Sequence, residues 1–168
     1  MKKNVHFDVD GVLRDLNIPV CGGDPDTWDI DFKEDDSYKR TVDNDLSMLL
    51  TAPQTIYFPV ICEYLRKCEI VNVITSQPLK WIPNTITWLN TNLGSNGVKK
   101  FNIKFVSHIK EKEQYISNNE VLVEDYPHFS KKMSRKIILI DKKYNQEAMN
   151  FLVRIKTPEE LRKVLANV

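Results

Sequence analysis

The sequence predicts an α/β fold in which a mostly parallel, five-stranded sheet lies between helices. Short apolar runs rich in β-forming residues alternate along the chain with segments of helical periodicity. Strands that alternate with helices form parallel sheets covered on both faces. Most of the predicted strands also end in polar or charged side chains. Because such folds bind ligands beyond the carboxyl ends of their strands, these strand ends predict a functional site.

The length and composition are those of a single globular domain. The chain has 168 residues, of which 42% are hydrophobic and 28% charged. We expect one domain over residues 1–168, with a small insertion at approximately 15–52, where glycines, prolines and acidic residues interrupt the strand–helix alternation. The net charge of +1 gives no reason to expect a nucleic acid polymer as partner.

The sequence also indicates a reduced, cytoplasmic location. Three cysteines, Cys21, Cys62 and Cys68, are an odd number without the spacing of metal ligands, which is typical of proteins in a reducing compartment. The sequence shows neither the pattern of a signal peptide nor an apolar run of about 18 residues, so we expect neither a signal peptide nor a membrane span.

The elements follow from local patterns along the chain. β-rich apolar runs predict five strands, at residues 4–7, 69–74, 101–106, 120–123 and 136–140. Helical spacing predicts helices at residues 37–50, 53–68 and from about 79 to 92, and a short polar helix before residue 116. Gly94 is the expected C-cap of the third of these helices. Thr157, Pro158 and Glu160 predict a capped start for the last helix.

The first predicted strand ends in two carboxylates, Asp8 and Asp10, with Gly11 directly after them. Two like charges at the end of a buried strand are costly unless something positive lies between them. A divalent metal ion is the simplest candidate, since Gly11 lets the backbone turn sharply and point both carboxylates at it. The alternative interpretation of these residues alone is an ordinary Asp-Gly turn.

The other strand ends offer partners for such an ion and for a phosphate group. Hydroxyl, ammonium and carboxylate side chains follow the second, third and fourth strands in that order: Thr75 and Ser76, Lys110 or Lys112, and Glu124 and Asp125. Magnesium prefers oxygen ligands and keeps several waters, so a few carboxylates suffice to hold it. Hydroxyls and a lysine can hold phosphate oxygens while negative charge develops on them.

With these residues in this order, the chain resembles the haloacid dehalogenase superfamily of aspartate-nucleophile phosphatases. Residues 8–13 match its first motif, Thr75 its second, a lysine its third, and Glu124-Asp125 its fourth. The resemblance implies a Rossmann-like core with a small cap formed by the insertion after the first strand.

Within that superfamily, the chain is similar to the 5'(3')-deoxyribonucleotidase group. Thr75-Ser76-Gln77-Pro78 matches the second motif of this group, and the Tyr144-Asn145 pair after Asp141 is also similar to relatives in it. The similarity implies a Mg²⁺-dependent phosphatase that hydrolyses nucleoside monophosphates through a phospho-aspartate. The expected partner is therefore a small phosphate monoester, without a membrane, and a homodimer is left open.

The resemblance also implies a role for each carboxylate. Asp8 would be the nucleophile, and Asp10 the general acid and base. Mg²⁺ would bind the Asp8 carboxylate, the Asp10 backbone carbonyl and Asp125, with Glu124 nearby or bonded through water.

The phosphate would be bound by side chains that follow the second and third strands. These are Thr75, Ser76 and Lys112, with Lys110 as the alternative lysine. We expect Tyr144 and Asn145 to shape a loop.

Two features depart from the pattern of the group. Glu124 stands where that group commonly has aspartate, and its longer side chain could alter direct coordination of the metal. The insertion is short and acidic, and offers only Trp28, Phe32 and Tyr38 for contact with a base. Two alternatives therefore stay open: a phosphatase for another small phosphate ester, and a non-catalytic regulator that binds metal or nucleotide.

Overall fold

The computed structural model describes residues 4–28, 37–98 and 100–168. Within these ranges a single sheet of six parallel strands has the order β3-β2-β1-β4-β5-β6. The strands are β1 (Asn4–Phe7), β2 (Val71–Ser76), β3 (Phe101–Val106), β4 (Glu120–Glu124), β5 (Ile137–Ile140) and β6 (Val153–Ile155). The prediction of an α/β fold with a parallel sheet is confirmed, but the predicted count of five strands is wrong. The sixth strand has only three residues with a charged one at its centre, too short a run to show a strand pattern.

Helices connect the strands. They are α1 (Asn17–Cys21), α2 (Ser37–Asn44), α3 (Met48–Thr51), α4 (Phe58–Leu65), α5 (Ile82–Ser95), α6 (Lys112–Tyr115) and α7 (Pro158–Asn167). Short 3-10 helices lie at Leu79–Trp81, Ile109–Glu111, Lys131–Met133 and Lys143–Asn145. Among the described residues, no helix has both the length and the apolar run needed to cross a membrane.

The segment between β1 and α4 differs from the prediction because side chains compete with the helical hydrogen bonds. The sequence predicts one helix over residues 37–50, but α2 and α3 are separate. Asp45 accepts hydrogen bonds from the backbone N–H and the hydroxyl of Ser47, and this local turn interrupts the helix. The helix predicted from residue 53 begins at Phe58, since Thr55 donates its N–H to Leu13 O at 3.0 Å.

Helix ends follow their cap residues. Helix α5 continues past the predicted end at about residue 92 and through Gly94, the predicted C-cap, to Ser95. Gly97, two residues after the helix, has a left-handed backbone at φ 77°. The predicted start of the last helix is confirmed: the Thr157 side chain accepts the Glu160 N–H, and Glu160 accepts the Thr157 N–H in return.

The sheet is apolar on both faces, as expected for central parallel strands. Along β4, Val121 and Val123 pack into one core cluster with residues of α4, α5 and α7, while Leu122 packs into a second cluster on the opposite face. A third, smaller cluster joins α1, α2 and α3 to Trp81, so the described part of the segment between β1 and α4 has apolar contacts of its own.

The strand order explains where the predicted site lies. β1 occupies the centre of the sheet, between β2 and β4. Its residue Phe7 is paired with Val73 of β2 on one side and with Val123 of β4 on the other. The chain therefore leaves β1 at Asp8 between the ends of two neighbouring parallel strands. Residues distant in sequence converge at this edge.

Candidate active site

A tight turn after β1 places the first carboxylates. The N–H groups of Leu13 and Arg14 both donate to Val9 O at 2.8 Å, which folds the chain back on itself. Gly11 has φ 84°, a left-handed conformation that costs residues with a Cβ about 1–2 kcal/mol. A Cβ at this position would overlap the Asp125 carboxylate. Glycine is therefore required here both by the turn and by the close approach of Asp125.

A buried lysine lies between two carboxylates at the centre of the site. Lys112 is 0% exposed, and its Nζ lies 2.8 Å from Asp8 Oδ1 and 2.6 Å from Glu124 Oε2. The contact with Glu124 is an aligned hydrogen bond, whereas the contact with Asp8 Oδ1 is close but not aligned as one. Lys110, the alternative in the sequence, is exposed. The structure thus brings Lys112, and not Lys110, against the carboxylates.

The ionisation of these groups reflects their burial. Burial raises the pKa of the Asp8 carboxyl to about 8, and the nearby Glu124 carboxylate adds to the rise. Burial also raises the pKa of Glu124. For Lys112, burial acts to lower the pKa, but the Asp8 and Glu124 carboxylates outweigh it and raise the pKa above its usual value.

Asp125, directly after β4, is held by residues from the loop after β5. The Tyr144 hydroxyl donates to Asp125 Oδ2. The Asn145 side chain donates to Asp125 O and to Ile140 O, both at 2.8 Å. Burial raises the pKa of the Asp125 carboxyl to about 6, and the Asp8 carboxylate contributes to the rise. The Tyr144-Asn145 pair, expected to shape a loop, therefore also fixes a carboxylate of the site.

Asp10 is held by two side chains that the sequence did not single out. Arg14 donates from Nε to Asp10 Oδ1 at 2.7 Å and from Nη2 to Asp10 Oδ2 at 3.2 Å. Gln77 Nε2 donates to the same Oδ2 at 2.5 Å. On its other side, Arg14 donates to Leu49 O at 2.7 Å and to Thr85 Oγ1 at 3.1 Å.

Most of the predicted residues share one pocket of about 590 Å³ at the carboxyl ends of the strands. It is lined by Asp8, Asp10, Thr75, Ser76, Lys112 and Asp125, whereas Glu124 lies behind it. Trp28 and Tyr38 also line the pocket, and Phe32 lies outside the described residues. A larger pocket of about 750 Å³ lies at the opposite edge of the sheet, between α4 and α7, away from the carboxylate cluster.

The residues present fit a hard divalent cation. Asp8, Glu124 and Asp125 are buried, and each offers a carboxylate oxygen within 4.8 Å of the others. Lys112 alone does not balance three such carboxylates, and their mutual repulsion adds to the burial that raises the pKa values of Asp8 and Asp125. Both Glu124 oxygens already accept hydrogen bonds, from Lys112 Nζ and from the Asp125 N–H. Asp8 and Asp125 are therefore the side chains best placed to bind a cation such as Mg²⁺.

Two solved structures share this fold. A candidate phosphatase from Clostridium difficile superposes with a TM-score of 0.60 at 15% identity, covering 98% of this chain and 98% of that one. A candidate haloacid dehalogenase-like hydrolase from Burkholderia xenovorans superposes with a TM-score of 0.56 at 13% identity, covering 99% and 98%. No family model matches the chain, and no curated protein matches it significantly. At these identities the likeness concerns the fold, which agrees with the haloacid dehalogenase-like core implied by the sequence.

Proposed function

We propose that this protein is a Mg²⁺-dependent phosphatase that hydrolyses small phosphate monoesters, most favourably nucleoside monophosphates, through a phospho-aspartate on Asp8. The observation that carries the proposal is the buried arrangement of Lys112 between Asp8 and Glu124, with Asp125 beside them. A simple strand-end turn at Asp8 and Asp10 would need neither a buried ammonium nor a further buried carboxylate.

The reaction divides into two displacements. An Asp8 carboxylate oxygen attacks phosphorus, the bond from phosphorus to the ester oxygen breaks, and Asp10 gives a proton to that oxygen. Asp10 then takes a proton from water as the water attacks the phosphorus of the phospho-aspartate. Inorganic phosphate leaves and Asp8 is regenerated, so that ester and water yield alcohol and phosphate.

The remaining residues hold the phosphate and the cation. Thr75 and Ser76, at the end of β2, line the pocket and would donate hydroxyl hydrogen bonds to phosphate oxygens. Lys112 would stabilise negative charge on the phosphate and on Asp8. Asp8, the Asp10 carbonyl and Asp125 would hold Mg²⁺, with Glu124 orienting Lys112 behind them. When bound, Mg²⁺ supplies positive charge that offsets the carboxylates and the phosphate.

We further propose that residues 15–52 form a small cap that contributes to substrate choice. In its described part, Leu16, Asn17 and Tyr38 line the pocket. Trp28 packs against Tyr126 and Tyr144, with ring centroids 5.3 and 5.4 Å apart. A pocket of about 590 Å³ with aromatic walls is of a suitable size for a base and a sugar, which supports a nucleoside monophosphate as substrate.

A phosphate-release screen tests the proposal. The full chain is assayed with p-nitrophenyl phosphate, nucleoside 5'- and 3'-monophosphates and sugar phosphates, with Mg²⁺ and with EDTA. We expect Mg²⁺-dependent release, highest on a nucleotide, and its loss in Asp8→Asn. Activity that persists in Asp8→Asn would contradict the mechanism. Saturable nucleotide binding without release would favour a non-catalytic regulator.

A further inference from the structure

We propose that Arg14 is a positioning residue that fixes the Asp10 carboxylate for proton transfer to the leaving oxygen. The inference rests on the proposed function, because it assigns Asp10 the task of protonating that oxygen. Arg14 itself does not line the pocket, and is 0% exposed. It therefore acts through Asp10 and does not contact the substrate.

The contact between Arg14 and Asp10 fixes the orientation of the Asp10 carboxylate as well as its distance from the guanidinium. Arg14 bonds to both oxygens of the Asp10 carboxylate, from Nε at 2.7 Å and from Nη2 at 3.2 Å. A two-point bond between planar groups resists rotation of the carboxylate, which a single donor would allow. The Asp10 side chain keeps 25% exposure and lines the pocket, so part of the carboxylate is open to a bound ester.

Arg14 is itself held from behind by three contacts from two helices, α3 and α5. Its Nη1 donates to Leu49 O at the helix α3, and its Nη2 donates to Thr85 Oγ1 of α5. Its guanidinium carbon lies 5.6 Å from the centroid of the Trp88 ring, a cation–π contact. These contacts restrain the guanidinium from following Asp10 if the carboxylate moves. A packed core thus sets where the proton donor lies.

The test compares two esters that differ in their need for a proton donor. p-Nitrophenolate is a stable anion and leaves without a proton, whereas the alkoxide of a nucleotide or sugar phosphate needs one. The alkyl ester used is the one that the wild-type chain hydrolyses fastest. Arg14→Lys keeps the positive charge but loses the two-point bond. The rate compared is kcat/KM, which covers the steps up to the phospho-aspartate and leaves out its hydrolysis, a step in which Asp10 serves both esters as the base. Because a misplacement of about 1 Å costs about 100-fold, we expect kcat/KM on the alkyl ester to fall about 100-fold. On p-nitrophenyl phosphate we expect kcat/KM to change by less than about threefold, since formation of the phospho-aspartate from that ester bypasses the proton donor.

Two further variants separate positioning from a structural role. In an Asp10→Asn background, Arg14→Lys should no longer change the ratio of the two rates, because the group it positions has lost its proton. Arg162→Lys, at an exposed arginine at the opposite end of the molecule, is the matched control and should leave both rates unchanged.

If Arg14→Lys does not fold, Thr85→Val provides the same test in weaker form. It removes one hydrogen bond behind the guanidinium and leaves the contact with Asp10 in place. We expect a several-fold loss on the alkyl ester alone; an equal loss on both esters, or none, would overturn the inference.

The outcomes also separate this inference from the proposed function. An active wild type in which Arg14→Lys slows both esters by the same factor overturns the inference and leaves the phosphatase standing. A selective loss that persists in the Asp10→Asn background overturns it too. A wild type that hydrolyses neither ester overturns the proposed function and this inference with it.

Discussion

Replacing Lys112 with methionine removes the charge at the centre of the site while keeping most of the buried volume. Lys112 Nζ lies 2.8 Å from Asp8 Oδ1 and 2.6 Å from Glu124 Oε2, and neither carboxylate is more than slightly exposed. Removing one partner of a buried ion pair leaves the other charge uncompensated and costs about 3–5 kcal/mol. We expect a loss of about this size in the free energy of unfolding, measured by urea denaturation of the metal-free protein at a pH above the Asp8 pKa of about 8, where that carboxylate is ionised.

Two companion variants make this measurement specific. Lys110→Met changes the exposed neighbour and should alter stability by less than about 0.5 kcal/mol. Adding Glu124→Gln to Lys112→Met removes one of the two orphaned charges, so the double variant should be more stable than Lys112→Met alone. A loss below about 1 kcal/mol for Lys112→Met, or one no larger than that of Lys110→Met, would refute the reasoning.

Three other predictions follow from the same site. Gly11→Ala should cost about 1–2 kcal/mol of stability through backbone strain. It should also weaken Mg²⁺ binding, since the alanine Cβ would overlap the Asp125 carboxylate. An unchanged Mg²⁺ affinity, measured by calorimetry, would contradict this. Tyr144→Phe removes a donor to Asp125 and should weaken Mg²⁺ binding by about 10–100-fold, with calorimetry again the measurement. In EDTA, the Asp8 pKa is about 8 in the folded protein, against the ordinary 3.8 expected in the unfolded chain. Between these values the folded state binds the extra proton, so the melting temperature should fall as pH rises. This slope should flatten in Asp8→Asn. A wild-type melting temperature that rises with pH between the two pKa values would contradict the prediction.

The residues of the site could be predicted from sequence to the extent that they follow strands. Asp8, Thr75 and Asp125 come directly after or at the end of β-rich runs, and parallel strands bring such ends to one edge. Local pattern therefore sufficed to bring them together, without knowledge of the packing. The same reasoning left Lys110 and Lys112 open, because both lie on a short polar segment and only the packing buries one of them.

The contacts of Arg14 and Gln77 with Asp10 could not be predicted from the local sequence pattern. Arg14 stands four residues after Asp10 among charged and apolar neighbours, which is typical of a surface residue. It is buried by contacts with Leu49 and Thr85, which lie 35 and 71 residues away in the chain. Gln77 reaches Asp10 across 67 residues. Contacts at such separations depend on the packing of whole elements, and no local spacing encodes them.

The missed strand and the divided helix have different causes. β6 is a three-residue edge strand, Val153–Ile155, whose central arginine pairs with Asp141 and Asn145. Its strand character comes from pairing with β5 and not from its own composition. The helix predicted over 37–50 was broken by Asp45, whose side chain bonds to its own loop, a signal that the sequence did contain.

The most direct test of the central claim is to trap the phosphorylated enzyme. The full chain is mixed with Mg²⁺ and its fastest substrate, quenched, and treated with borohydride, which reduces an acyl phosphate and converts the aspartate to homoserine. Peptide mass spectrometry then locates the modified residue. The proposed mechanism predicts homoserine at position 8, and only when both substrate and Mg²⁺ are present. Phosphate release without modification of Asp8, or with modification of another residue, would contradict it.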